Sequence, residues 1–242
     1  MREIYRLFLF SLALILISCS QEQKGQEVSM DLILDSDTSG RADQWPPLVK
    51  GVEPDIRQIS KGNYMIIFDG SGSMRGEKIA TAKKALKRFI KRVPAGANVG
   101  LIAFDRRGCS ERAPLGSDRK KLVSMVDQIQ ASGNTPLGTA ITLAYKKLIY
   151  QANLQSGYGE YYIVILTDGR ATDGSRMPVI VKKVLTESPV IIHTIGFHVG
   201  PGHPLNQPGQ IYYTAASNLD ELNRGFESVL AELEKFTVTK FE

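Results

Sequence analysis

The stretch Asp69-Gly70-Ser71-Gly72-Ser73 places one carboxylate and two hydroxyls on a glycine-loosened turn directly after the apolar run Tyr64 to Phe68. Two further oxygen donors stand later in the chain: Thr135, in Ser132-Gly133-Asn134-Thr135-Pro136, and Asp168, at the end of the run Ile163 to Thr167 and before Gly169. Asp69, Ser71, Ser73, Thr135 and Asp168 together offer two carboxylates and three hydroxyls, with no His or Cys. That set suits a hard divalent cation, Mg²⁺ foremost with Mn²⁺ or Ca²⁺ as alternatives, rather than Zn²⁺. Alternate spacing lets residues 69, 71 and 73 face one way, and Gly70 and Gly72 permit the tight backbone path. Because the hydroxyls are neutral, an ion held this way keeps net positive charge and an open position, which is what capture of an incoming carboxylate needs.

For these donors to meet, the elements between them must return to one edge. Short β-type runs alternate with amphipathic stretches from Tyr64 onward, which predicts an α/β fold: a Rossmann-like, doubly wound, mostly parallel sheet with helices on both faces. Strands are expected at Tyr64–Phe68, Asn98–Phe104, Tyr161–Leu166, Val190–Ile195 and, at an edge, Ile211–Ala215. Helices are expected at Glu77–Val93, from an Asp118 N-cap to Gln130, and at Leu137–Asn153, Met177–Glu187 and Leu219–Phe236. Arg106 to Ser117 is irregular and charged, with room for a short edge strand. In an open parallel sheet ligands bind beyond the carboxyl ends of the strands, near the point where strand order reverses. Asp69 and Asp168 each follow a buried-type strand, and Thr135 lies in the loop entering a helix.

Asp69-x-Ser71-x-Ser73, Thr135 and the Thr167-Asp168-Gly169 triplet resemble the metal-ion-dependent adhesion site of von Willebrand factor type A domains. The resemblance covers about residues 62 to 236, including the Ser73-Met74 continuation, the loop Gly133 to Leu137 and the strand Ile191 to Gly196. It implies that the two serines and the threonine contact the ion, and that the aspartates bind it directly or through water. It also implies a protein partner whose Asp or Glu completes the shell, in adhesion or envelope-complex assembly, with no catalysis.

The first residues are read separately. Arg2 and Arg6 precede the apolar run Leu7 to Ile17, which is short for a bilayer span and reads as a signal peptide over residues 1–18. Leu16-Ile17-Ser18-Cys19 resembles the lipobox of bacterial lipoproteins. That likeness implies acylated Cys19 as the mature N-terminus, membrane attachment through lipid and a place in the bacterial cell envelope, with Ser20 pointing to the outer membrane of a Gram-negative cell. Residues 19–61 read as a tether, interrupted by the apolar island Trp45 to Val49, which is expected to dock on the domain at 62–242. With Cys19 acylated, Cys109 has no thiol left to pair with, so the fold must stand on its core. The net charge of +5 is modest, and the basic row Lys78, Lys83, Lys84, Lys87, Arg88, Lys91 and Arg92 suits a solvated helix face, an anionic lipid surface or an acidic partner.

Neither nucleic acid nor a nucleotide is an expected ligand. Gly70, Gly72 and Gly76 give G-x-G-x-x-x-G rather than the dinucleotide spacing, and Asp69 would repel a pyrophosphate. A metal-dependent hydrolase or phosphatase is an alternative, but no general base is tied by sequence to the donor loops. A structural scaffold of an envelope complex is another. The segment Phe197 to Gln210, with His198 and His203, is long for a connection and is expected on the same edge as the donors, as a candidate for partner selectivity.

Overall fold

The computed structural model describes residues 45–55, 57 and 62–236. The expected signal peptide, Cys19 and most of the tether lie outside the described residues. Among those described, no helix is long and apolar enough to cross a membrane.

Continuous apolar sequence becomes the centre of the sheet. Strand β1 (Gly62–Asp69) is buried along its whole length, and β4 (Glu160–Thr167) along all but its first residue. They pair in parallel, Ile66 opposite Val164, and β1 pairs on its other side with β2 (Asn98–Asp105), Ile66 opposite Leu101. Strands β5 (Ile191–Phe197) and β6 (Tyr212–Ala216) extend the parallel set beyond β4. The irregular charged stretch contains β3 (Gly108–Ala113), the one antiparallel member, so the order is β3-β2-β1-β4-β5-β6. Strand order therefore reverses between β1 and β4, where Asp69 ends one strand and Asp168 follows the other.

Helix α1 (Glu77–Arg92) packs against α2 (Arg119–Asp127) and α5 (Leu219–Phe236) on one face. Tyr64, Ile66 and Phe68 meet Leu86, Phe89 and Phe226 there, with Tyr64 stacked on Tyr162 at 4.8 Å. On the other face α3 (Leu137–Leu154) crosses β1, β2 and β4 and packs on α4 (Arg176–Glu187). Each fully buried large apolar side chain contributes ~1.5–3 kcal/mol, and this core works without a disulfide, Cys109 being free. Burial pushes the Cys109 thiol up to about 11, which disfavours the thiolate form that reacts.

Two local differences from expectation have side-chain causes. Asp118 caps α2 as expected, accepting from Lys120 N and Lys121 N, but the helix stops at Asp127. Gln130 N–H goes instead to Asp105 Oδ2 at 3.1 Å, and Ile129 turns into the core. The β2–β3 hairpin is organised by the same carboxylate, which accepts from Arg107 N at 2.8 Å, with Gly108 at φ 79° completing the turn.

The basic row on α1 mostly ties the helix to its neighbours. Lys83 Nζ donates to Asp127 O, Lys87 pairs with Asp127, and Arg88 and Arg92 pair with Glu227. The Trp45 island docks, as expected. Trp45 stacks on Tyr145 and lies edge-on to Tyr161, and Asn153 clasps the strap, accepting from Val49 N and donating to Pro47 O.

Candidate metal centre

The turn after β1 is built by its own carboxylate. Asp69 Oδ1 accepts from Ser71 N at 2.8 Å, which folds the chain into a tight Asx turn, and a short 3₁₀ turn follows over Gly72–Met74. The two glycines differ. Neither has a left-handed φ; Gly70 is required by close approach, because an added Cβ would sit 2.7 Å from Ile129 Cγ2 and 2.9 Å from Asp105 Cβ, whereas at Gly72 the nearest atom would be 3.5 Å away.

Three segments then converge. Ser73 Oγ donates to Asp168 Oδ1 at 2.5 Å, and because Ser73 spends its proton there, Ser71 Oγ donates to Ser73 Oγ at 2.9 Å. The loop before α3 is locked to the first turn by Ser132 N to Gly70 O and Gly72 N to Gly133 O. Thr135 is held by backbone contacts, its N–H donating to Thr172 Oγ1 and its carbonyl accepting from Thr172 N. A Cβ added to Gly169 would lie 3.7 Å from Thr135 Oγ1 and 3.9 Å from Ser73 Oγ, so both hydroxyls border the Thr-Asp-Gly turn. Asp69, Ser71, Ser73, Thr135 and Asp168 thus gather at one place on the carboxyl edge of the sheet.

Both carboxylates are buried. Burial pushes the Asp69 carboxyl above its ordinary range and the neighbouring Asp168 charge adds to this, while hydrogen bonds from Ser71 and Thr167 oppose it. Two adjacent buried carboxylates with hydroxyls between them form an acidic, oxygen-lined cup, and that donor set fits a hard divalent ion. Among the described residues no three His, Cys, Asp or Glu side chains are grouped to hold a metal. The cup differs in make, since three of its five donors are hydroxyls.

Three contacts here escape sequence reasoning. Thr167 Oγ1 donates to Asp69 Oδ2 at 2.6 Å and so orients the first carboxylate from the neighbouring strand. Lys78 Nζ lies 2.8 Å from Asp168 Oδ2, a half-exposed ammonium on a fully buried carboxylate. A lysine in the first turn of a helix opposes the helix dipole, and that local conflict was the signal for an anion nearby. Asp173 accepts from Gly138 N and Thr139 N, capping α3 from the loop that carries Asp168.

The segment after β5 reaches the same edge. His203 is buried and its Nδ1 accepts from Leu205 N, so the ring proton is on Nε2, which donates to Gly169 O at 2.9 Å. Burial lowers its pKa, the Gly169 bond opposes this and Arg170 reinforces it. Both ring nitrogens are therefore engaged in holding the segment against the Thr-Asp-Gly turn.

Residues 63–226 match the family model described as the von Willebrand factor type A domain. The chain is 27% identical over 207 residues to inter alpha-trypsin inhibitor, heavy chain 4, of Mus musculus, a match covering 78% of this chain and 22% of that protein. The chain thus spans about a fifth of the length of this curated relative. A von Willebrand factor type A structure from Catenulispora acidiphila superposes with a TM-score of 0.59 at 20% identity, over 71% of this chain and 42% of that one. An aerotolerance-related membrane protein from Bacteroides fragilis NCTC 9343 superposes with a TM-score of 0.52 at 17% identity, over 71% of this chain and 98% of that one. The doubly wound sheet, its reversal point between β1 and β4 and the family match over most of the chain agree: this protein belongs to the von Willebrand factor type A domain family.

Proposed function

We propose that this domain binds a protein partner through a divalent cation, Mg²⁺ foremost, held by Asp69, Ser71, Ser73, Thr135 and Asp168, without catalysis. The observation that carries this reading is the joining of Ser71, Ser73 and Asp168 by two hydrogen bonds at the sheet's reversal point. Three of the five donors are neutral hydroxyls, so the two carboxylates do no more than balance the ion's charge, and five oxygens leave a six-coordinate ion an open position for an external carboxylate. His203 supports binding over turnover, since neither of its ring nitrogens is free to act as a base. We further propose that the chain is attached to a bacterial membrane through acylated Cys19.

Calorimetric titration with Mg²⁺ tests the metal reading. Asp69→Ala should abolish the heat while circular dichroism keeps the signature of a folded sheet, and unchanged affinity rejects the assignment. Cys19→Ala should release the protein from membranes, whereas retention with an uncleaved N-terminus rejects the lipid anchor.

A further inference from the structure

Beside the candidate metal centre lies an open cleft of about 530 Å³ lined by Asp105, Arg106, Arg107, Gln128 and Gln130. We propose that this cleft binds a second carboxylate of the partner, so that the edge of the domain recognises an acidic peptide segment rather than a single acidic side chain. The inference deepens the metal-dependent reading and rests on it for the first carboxylate only.

The charge of the cleft is settled by Asp105. Its side chain is fully buried and accepts from Arg107 N, Gln130 N and, at 2.7 Å, Arg112 Nη2. Arg112 is itself 8% exposed, so the shorter of the two ion pairs of Asp105 is a buried one that already neutralises its charge. Arg107 Nη2 forms a second, longer ion pair with Asp105 Oδ2 at 3.7 Å, beyond a hydrogen bond, on a side chain 42% exposed. Arg106 Nη1 reaches Gln130 Oε1 at a marginal 3.5 Å. Among the described residues Arg106 therefore faces the cleft with no carboxylate partner, and Arg107 shares the single carboxylate of Asp105 with Arg112, so the three arginines leave the cleft net positive. Planar guanidinium donors next to amide side chains are the chemistry that recognises a carboxylate.

Position links this cleft to the metal centre. Gln128 and Gln130 line the cleft, and the chain runs straight on to Ser132 and Gly133, whose backbones grip the Asp69 turn. Arg75, exposed on that turn, donates from Nε to Ala131 O at 3.4 Å, which sets another guanidinium beside the residue that follows Gln130. A positive rim beside an ion with an open position attracts a run of negative charge, and the attraction weakens as salt rises.

The test uses the full chain in detergent and fluorescein-labelled hexaglutamate, read by anisotropy with Mg²⁺ present. Wild type should bind hexaglutamate, ignore hexaglutamine and weaken with added salt. Arg106→Gln combined with Arg107→Gln should lose roughly tenfold in hexaglutamate affinity, as for loss of a charge-assisted hydrogen bond, while Mg²⁺ affinity stays within about twofold. Equal affinity of variant and wild type overturns the proposal, as does wild-type binding that does not distinguish the two peptides. Should the double variant lose capture of phosphatidylglycerol vesicles and keep hexaglutamate affinity, the cleft belongs to a lipid surface and the proposal is overturned. Arginine-dependent hexaglutamate binding in a protein that gives no Mg²⁺ heat supports the cleft and sinks the metal reading alone.

Discussion

Lys78 Nζ sits 2.8 Å from Asp168 Oδ2, so a tethered ammonium already serves one carboxylate of the candidate metal centre. A divalent ion bound there meets this positive charge at close range. Unit charges 4 Å apart near a protein surface interact by about 4 kcal/mol, a value that solvent screening of the half-exposed lysine reduces. We expect Lys78→Met to bind Mg²⁺ about tenfold more tightly in calorimetry. Weaker binding in this variant would assign Lys78 to supporting the ion rather than competing with it.

The two glycines of the first turn should separate in stability. Gly70→Ala pushes a methyl group into Ile129, Asp105 and the Phe104 carbonyl, which lies 3.0 Å from the added Cβ. Overpacking of this kind costs about 1–3 kcal/mol. Gly72→Ala has room and should stay within about 1 kcal/mol of wild type. Urea unfolding of both variants checks the contrast, and equal losses would show that the turn's backbone path, not its packing, is the constraint.

His193 should make the fold acid-sensitive. It is buried in β5, stacked at 4.8 Å on Tyr212, and burial drives its pKa from 6.5 down to about 4. The unfolded chain takes up the proton first as pH falls, so stability is full above 6.5 and declines as pH drops toward about 4. The loss reaches about 3 kcal/mol. Asp69, whose pKa is raised, acts with the opposite sign, so the readout is the difference from His193→Phe. That variant should show a shallower decline between pH 6.5 and 4 in urea titrations, and parallel curves would remove His193 from the account.

The single tryptophan gives a direct readout of the strap. Asn153 is buried and holds the backbone of Val49 and Pro47, so Asn153→Ala leaves these groups without their partner. We expect a loss of about 2 kcal/mol and a red shift of Trp45 emission while the sheet stays folded. An unshifted spectrum would mean that the rings of Tyr145 and Tyr161 hold Trp45 unaided.

Asp69 and Asp168 were readable because each terminates a continuous apolar run, and a parallel sheet sends the ends of such runs to one edge. Trp45 was readable for a similar reason, since an isolated aromatic island seeks a surface. The edge strand β3 was readable only as room for a strand between Arg106 and Ser117, because a strand half exposed on both faces carries no alternation to fix its bounds, although Asp105 and Gly108 frame its turn. Thr167 and Thr172 act on Asp69 and Thr135 from segments far away in sequence, and no local period encodes such contacts. Gly70 and Gly72 look alike in the chain and differ only in what packs beside them.

The strap meets the domain around Asn153, Leu154 and Tyr161, where β4 begins, whereas Asp168 follows the residue at which β4 ends. Eight residues of strand separate the two by about 26 Å. Trp45 accordingly joins the domain at the pole opposite the acidic cup. The edge that carries Asp69 and Asp168 is thus left clear of the strap, so an ion reaching the cup needs no displacement of residues 45–55.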